Sequence, residues 1–259
     1  AGEGLVGSWF ALVAYATTAA ASKTGLLSGV TSWVKGLWVT DLTTIPATIG
    51  LPNWGGVVIL ASVTGLIVHR FIVLERNRPA QIQLPARRTG LAHLLLEKQW
   101  NPLATGFLVG VVAVIAWPTS WASGRPDGLG ITTPSSNLVN LIVTGEAERL
   151  DWGVLLVLGI LLGSFLAAKA SGEFRVRVPS AQVIQRSIAG GVLMGIGAAW
   201  AGGCSIGNAL VQTSLLSWQG WIALVFQVLG VGVAAWFLLI RPRQRRRAER
   251  AASRVPATV

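Results

Sequence analysis

The sequence predicts an all-α, polytopic integral membrane protein organised as inverted-topology repeats with discontinuous and re-entrant helices. Three observations carry this expectation. Of 259 residues, 52% are apolar and 12% are charged, with 31 glycines besides, whereas an ordinary soluble chain carries about 25% charge. The mean hydropathy is +0.60. Five nearly uncharged runs approach the roughly 20 residues that cross ~30 Å of hydrocarbon at ~1.5 Å per residue. A soluble enzyme, a disordered chain and a disulfide scaffold are excluded by the same composition, since Cys204 is the one cysteine.

In chain order, the runs are Leu5–Ala21, Trp54–Leu74, Pro102–Trp121, Trp152–Ala170 and Trp218–Ile240. Prolines avoid their interiors: Pro102 stands in a first helical turn, where its missing N–H costs nothing, and Pro118 lies near an end. Between the third and fourth runs, residues 128–145 read GLGITTPSSNLVNLIVTG. Here Thr133-Pro134 predicts an N-cap followed by proline at the first helical position. The apolar piece Leu138–Val143 is too short to span, so a half-helix dipping back from the external side is expected. A sixth apolar stretch, Ile188–Leu216, carries glycine pairs at 190–191 and 202–203.

The charges orient the runs. Segments 70–98, 169–186 and 241–254 hold 17 of the 21 Lys and Arg residues. The alternate segments hold only Lys23, Lys35, Arg125 and Arg149, with six of the ten acids. The positive-inside rule places the basic segments and the tail RPRQRRRAER in the cytoplasm, so the net charge of +11 marks topology and lipid contact, not nucleic-acid binding. Trp33, Trp38, Trp54, Trp117, Trp121, Trp152 and Trp218 then form an external aromatic belt, with Trp200 the exception inside an apolar run. The protein is expected in the cell inner (plasma) membrane with its C-terminus cytoplasmic. Parity requires Ile188–Leu216 to cross once, as a helix interrupted around Gly202-Gly203-Cys204. A re-entrant hairpin there would leave seven arginines outside.

At an offset of 212 residues, Trp9-Phe10-Ala11-Leu12-Val13 matches Trp221-Ile222-Ala223-Leu224-Val225 at four of five positions. The two helices run in opposite directions in this topology, as inverted repeats require. The counterpart of Cys204 would fall before Ala1, and Met194 is the sole methionine. The chain is therefore expected to lack the start of its first repeat. The expected organisation is residues 1–98 as the remainder of the first membrane repeat with a connecting helix and basic loop, 99–240 as the second repeat with the cysteine-bearing broken helix, and 241–259 as a basic cytoplasmic tail.

Backbone that leaves helical geometry at membrane depth persists only inside protein or along a water-filled cavity. Two such places imply a lined path. In the run from Gly190 to Asn208, the glycines at 191 and 195 read as small-residue packing positions, and an isolated cysteine is ordinarily a small hydrophobe. Yet Gly202-Gly203 frees the backbone before Cys204, and Ser205, Gly207 and Asn208 open the next helical piece. A helix N-terminus offers unpaired N–H groups and about half a positive charge to an anion. A thiol adds a weak donor and soft acceptor, suited to a sulfur-bearing anion that must also leave. His69 and His93 stand apart, no acid lies deep in an apolar run, and no phosphate-binding GxxxxGK[ST] segment occurs. Neither a metal site nor an enzyme site emerges.

The stretch GGVLMGIGAAWAGGCSIG, with GIT at 130–132 and LLGSFLAAKASGEFR ahead of it, resembles the sulfur-transport family of the YeeE/YedE type. The likeness extends in general pattern over about residues 100–240, and the opening AGEGLVGSW resembles the segment after that family's first-half cysteine motif. The resemblance implies uptake of thiosulfate or a related small sulfur anion through a central path to which each half contributes a cysteine-bearing loop. It implies that Cys204 relays the anion while Gly203 and Gly207 shape the loop, and that a soluble sulfur-carrier protein receives the cargo in the cytoplasm. One cysteine stands where the family pattern expects at least two.

On this reading, Cys204 contacts substrate, backbone N–H groups from Ser205 to Asn208 offset its charge, and Trp200 walls the path. Thr132, Ser135, Ser136 and Asn137 are further path candidates on the external half-helix. The basic loop Arg76–Lys98 either docks the carrier or serves as a topology signal. The rival from another class is a non-transporting membrane subunit of a larger complex built on the same fold.

Overall fold

The computed structural model describes residues 4–37, 44–76 and 100–244. The helices are α1 Val6–Lys23, α2 Ser28–Gly36, α3 Ile45–Ile49, α4 Asn53–Arg76, α5 Pro102–Ala122, α6 Thr132–Thr144, α7 Trp152–Ser171, α8 Ala181–Trp200 and α9 Trp218–Ala235. Two π-helical segments, Ile206–Gln212 and Trp236–Ile240, and a short 3₁₀ turn at Ala147–Arg149 complete them. The protein is an all-α polytopic membrane protein. Among the described residues, five helical stretches are long and apolar enough to cross a bilayer: Asn53–Leu74, Pro102–Ala122, Trp152–Ser171, Ala181–Trp200 and Trp218–Gln244. Trp38, His93, nearly all of the basic loop and the tail beyond Gln244 lie outside the described residues, as do residues 1–3.

α1, expected among the most apolar runs, is not one of the five. Its buried side is made of Tyr15, Ala16, Ala19, Ala20 and Ser22, small or polar residues that lower hydropathy because they face protein. α1 lies along α8 in the same direction. A Cβ at Gly191 would stand 2.4 Å from the Ala11 carbonyl oxygen, and one at Gly195 would stand 2.7 Å from that of Tyr15. These glycines are therefore helix-contact positions, where backbones approach because no side chain intervenes. By contrast, little of the apolar surface of α4 and α9 is buried within the chain. Such surface suits a hydrocarbon solvent and would be a liability in water.

The expected half-helix is α6, 13 residues long and so about 20 Å at ~1.5 Å per residue. Its first residues bond to the middle and end of α1, Thr132 with Tyr15 and Thr133 with Lys23, whereas Asn140 reaches Thr24 beyond α1's end. α6 thus runs beside α1 in the same sense, its N-terminus set inside the bundle. The cap differs from expectation. The N-cap is Ile131, without a side-chain cap bond, because the hydroxyls of Thr132 and Thr133 are engaged by Tyr15 and Lys23 instead. Pro134 falls at the third helical position, still within the turn that has no intrahelical N–H bonds to lose. α7 follows through a sharp N-terminus. Asp151 accepts from the Val154 N–H at 2.8 Å and from Asn137 Nδ2 at 3.1 Å.

The sixth apolar stretch also differs in part. Helix α8 begins at Ala181, passes unbroken through Gly190-Gly191 and ends at Trp200, so its 20 residues are of crossing length before any interruption. The interruption falls where glycine frees the backbone, at 201–204. Isolated bridges tie the segments preceding two helices to distant chain: Leu5 to Arg177, before α1, and Ser217 to Thr44, before α9.

Candidate functional site

The turn between α8 and the π-helical segment carries Cys204. Gly202 adopts φ +76° and closes against Gln219, whose Nε2 would lie 2.5 Å from an added Cβ. Asn208 is fully buried and braces the turn from the other side. Its Nδ2 donates to the carbonyls of Gly203 at 2.7 Å and Ala201 at 3.1 Å, and its Oδ1 accepts from Gln219 Nε2 at 3.1 Å. The backbone N–H of Asn208 donates to the Cys204 carbonyl at 2.8 Å, closing the first turn of the new helical piece. A buried amide with its donors and acceptor satisfied fixes geometry, and here it fixes where the thiol sits.

Around the sulfur, two elements meet. The backbone N–H groups of Ile206 and Gly207 approach it from the start of the π-helical segment, and those of Ile131 and the Thr132 hydroxyl approach from the start of α6. Tyr15 reaches the same thiol and donates to Thr132 Oγ1 at 2.8 Å. The two irregular stretches thus place two helical N-termini on one half-exposed cysteine. Each contributes free N–H groups and the positive end of a dipole. Such a cluster can hold an anion by several hydrogen bonds without a full counter-charge, and the polarisable sulfur gives a soft surface beside them.

A cavity of about 70 Å³ opens over this cluster, room for several waters or one small polyatomic anion, as a single water takes roughly 10–15 Å³ on this measure. Of the sequence-derived residues, Cys204, Gly203, Gly207, Asn208 and Thr132 line it. A Cβ at Gly207 would meet nothing within 4 Å. Ser205 is exposed beside the turn, and Trp200, the last residue of α8 and 42% exposed, stands outside the lining. Ser135 and Ser136 are buried within α6, Ser135 Oγ without a hydrogen-bond partner, and Asn137 is committed to Asp151.

Sequence reasoning missed Arg125, Asp127 and Gln212, which line the cavity, and Tyr15 and Gln219, which hydrogen-bond to the lining residues Thr132 and Asn208. Arg125 left a signal, as one of four cations on the sparsely charged side. Tyr15 left one as well, the chain's only tyrosine, followed by the small-residue run Ala16–Ala21. Among the described residues, no group of His, Cys, Asp and Glu gathers closely enough to hold a metal ion.

Residues 1–233 match the family model described as sulphur transport. The chain is 47% identical over 253 residues to "Thiosulfate transporter TsuA" of Escherichia coli (strain K12), covering 98% of this chain and 71% of that protein. It is 33% identical over 254 residues to the "Thiosulfate transporter TsuA" of Spirochaeta thermophila, covering 93% of this chain and 70% of the relative. A third relative, the "Probable transporter YedE" of Escherichia coli (strain K12), is 28% identical over 158 residues, 56% of this chain and 38% of its own length.

Proposed function

The chain belongs to the sulphur transport family, and from that membership we propose that it takes up thiosulfate or a closely related small sulfur anion through a path passing Cys204. The observation that carries the proposal is the convergence of the α6 N-terminus and the restart after α8 on that one thiol. The anion rests against the N–H groups of Ile131, Ile206 and Gly207 and against the hydroxyl of Thr132, with the sulfur of Cys204 beside its own sulfur. Asn208 and Gln219 hold the turn rather than the cargo. No group in the cluster except Arg125 and Asp127 is fully charged, so the anion is held by partial charges and released as readily as a conducting site requires.

In this reading the basic segments face the cytoplasm, the membrane is the inner one, and Cys204 is reached from the sparsely charged external side. Helices α1, Val6–Lys23, and α9, Trp218–Ala235, have the same 18-residue length and the same offset of 212 as the matched peptides. That coincidence supports an inverted repeat, with residues 1–98 belonging to one repeat and 99–240 to the other. On the cytoplasmic side, a soluble sulfur-carrier protein takes the cargo, with the basic loop around residues 76–98 as its docking surface.

Thiosulfate uptake by cells lacking other importers tests the proposal, comparing the parent with Cys204→Ala at matched membrane abundance. Uptake that falls at least ten-fold in the variant is expected. A well-folded parent that moves no thiosulfate overturns the substrate and favours the non-transporting subunit. Unchanged uptake in Cys204→Ala leaves transport standing and removes the cysteine from the path.

A further inference from the structure

The stretch LLGSFLAAKASGEFR has no part in the Cys204 cavity, and its end lies on the opposite side of the bundle. Helix α7 starts on the cavity side, where a Cβ at Gly153 would stand 2.5 Å from Pro134 Cγ near the start of α6. Its 20 residues then carry the chain about 30 Å away at ~1.5 Å per residue. Lys169 stands in the last turn, inside a span of crossing length, and its side chain is exposed. Its Nζ lies 5.6 Å from the centre of the Phe165 ring, and Phe165 meets Phe174 edge to face at 5.3 Å. A lysine that faces lipid from within a span is costly unless an anion meets it.

The segment after α7 is extended and held in place. Arg177 donates its N–H to the Gly4 carbonyl at 3.0 Å and accepts from the Val6 N–H at 3.2 Å, a parallel bridge that ties it to the start of α1. Gly4, at φ +84°, permits this approach, because a Cβ there would stand 2.5 Å from the Arg175 carbonyl oxygen. Alternation along an extended chain sends Arg175 and Arg177 to one face and Val176 and Val178 to the other. All four are exposed, the valines at 69% and 73%. Glu173 is the sole acid in residues 169–186, against four cations. Ion pairs among the described residues join Arg125 to Asp127 and Arg149 to Glu146; none engages Lys169, Arg175 or Arg177.

We infer that the last turn of α7 and the extended residues 175–178 form a headgroup site for an anionic phospholipid, on the face of the bundle opposite the Cys204 cavity. Val176 and Val178 enter the acyl boundary. Arg175 and Arg177 reach the phosphate from the water side, and Lys169 meets it from the membrane side with its stem laid on Phe165. Cations at this boundary attract an anionic leaflet, and the guanidinium fork fits two phosphate oxygens. A free phosphate offers the same oxygens but no acyl chain, so the valines distinguish a lipid from an ion. The bound lipid braces the end of α7 against the start of α1, whatever the protein carries.

Purified protein in neutral detergent, titrated with mixed micelles of phosphatidylglycerol or phosphatidylcholine, tests the site through melting temperature and through lipid retained in native mass spectrometry. Phosphatidylglycerol should raise the melting temperature well above phosphatidylcholine and remain bound one to one. Lys169→Gln, Arg175→Gln and Arg177→Gln should each weaken its apparent affinity about five-fold, the factor that one cation near an anionic surface contributes. These side chains are exposed, so each variant should melt with the parent when no lipid is added. Val176→Ser combined with Val178→Ser should weaken both lipids alike. Arg241 follows α9, which also starts beside the cavity through Gln219, so Arg241→Gln removes the same charge elsewhere on that face and should leave the affinity unchanged. An equal loss in Arg241→Gln reduces the effect to diffuse attraction and overturns the site. Inorganic phosphate that matches the phosphatidylglycerol shift makes it an ion site and overturns the lipid. An affinity unmoved in all three Gln variants overturns it too, and if those variants lose a copurifying acidic protein, the segment is a protein's docking edge instead.

Discussion

Asn208 carries more of the site's geometry than any other single side chain. Its three hydrogen bonds hold Ala201, Gly203 and Gln219 in one arrangement around Cys204. Asn208→Leu removes all three; Gln219 Nε2 still donates to the Ala201 carbonyl at 3.1 Å, but the Gly203 carbonyl loses its partner, at a cost of about 1–3 kcal/mol. We expect the variant to lower the melting temperature in detergent and to abolish uptake. Asn208→Asp keeps one acceptor but loses both donors, and should fare little better. Tyr15→Phe is the milder test. It removes the donor to Thr132 without removing volume, so abundance should be near normal while uptake falls several-fold. The sequence singled out Asn208 for the wrong bond: its backbone N–H goes to the Cys204 carbonyl, and its side chain does the work of placing the turn.

Among the helices, the glycines of α8 separate into two kinds that sequence alone does not distinguish. Gly191 and Gly195 touch α1 backbone, whereas a Cβ at Gly190 or Gly197 meets nothing within 4 Å. Gly191→Val and Gly195→Val should push α1 and α8 apart, costing about 1–3 kcal/mol or more by overpacking and sharply reducing folded protein. Gly190→Ala and Gly197→Ala should leave abundance at or above the parent's, since alanine favours the helix by about 1 kcal/mol over glycine. Fluorescence-detected size exclusion of the four variants checks both halves of this expectation. The half-helix α6 was legible as an element because its apolar piece is too short to span and is flanked by glycines. Its exact start was not, because Thr132 and Thr133 look like caps but spend their hydroxyls on α1. The π-helical geometry after Cys204 was not legible either. Such a local widening of the helix shows in no periodicity, yet it often accompanies functional sites.

For the whole molecule, the membrane is the solvent, and the exposed apolar sides of α4 and α9 are consistent with it. At the end of the last span, Arg241 lies 5.8 Å from the Trp236 ring and 6.0 Å from that of Phe237, an aromatic and cationic pairing that suits a membrane–water boundary. If the basic tail is inside, as proposed, a cytoplasmic reporter fused after Val259 should be active, and protease added to intact spheroplasts should leave it uncut. A reporter active outside would reverse the orientation and put Cys204 on the cytoplasmic side of the bundle.

Composition and charge order were sufficient to establish a helical membrane protein, four of its five crossing-length helices and the position of the break before Cys204. These properties depend on solvent transfer and on the local backbone freedom of glycine, both of which are additive along the chain. The gathering of Arg125, Asp127, Thr132 and Tyr15 around one thiol depends on which faces of α1, α6 and α8 meet. In a bilayer, that choice is made by close small-residue contacts at Gly191 and Gly195 and by a few interhelical hydrogen bonds, not by burial of apolar surface. Residues more than 100 positions apart, such as Tyr15 and Thr132, become neighbours only through that packing, and no sequence periodicity encodes it.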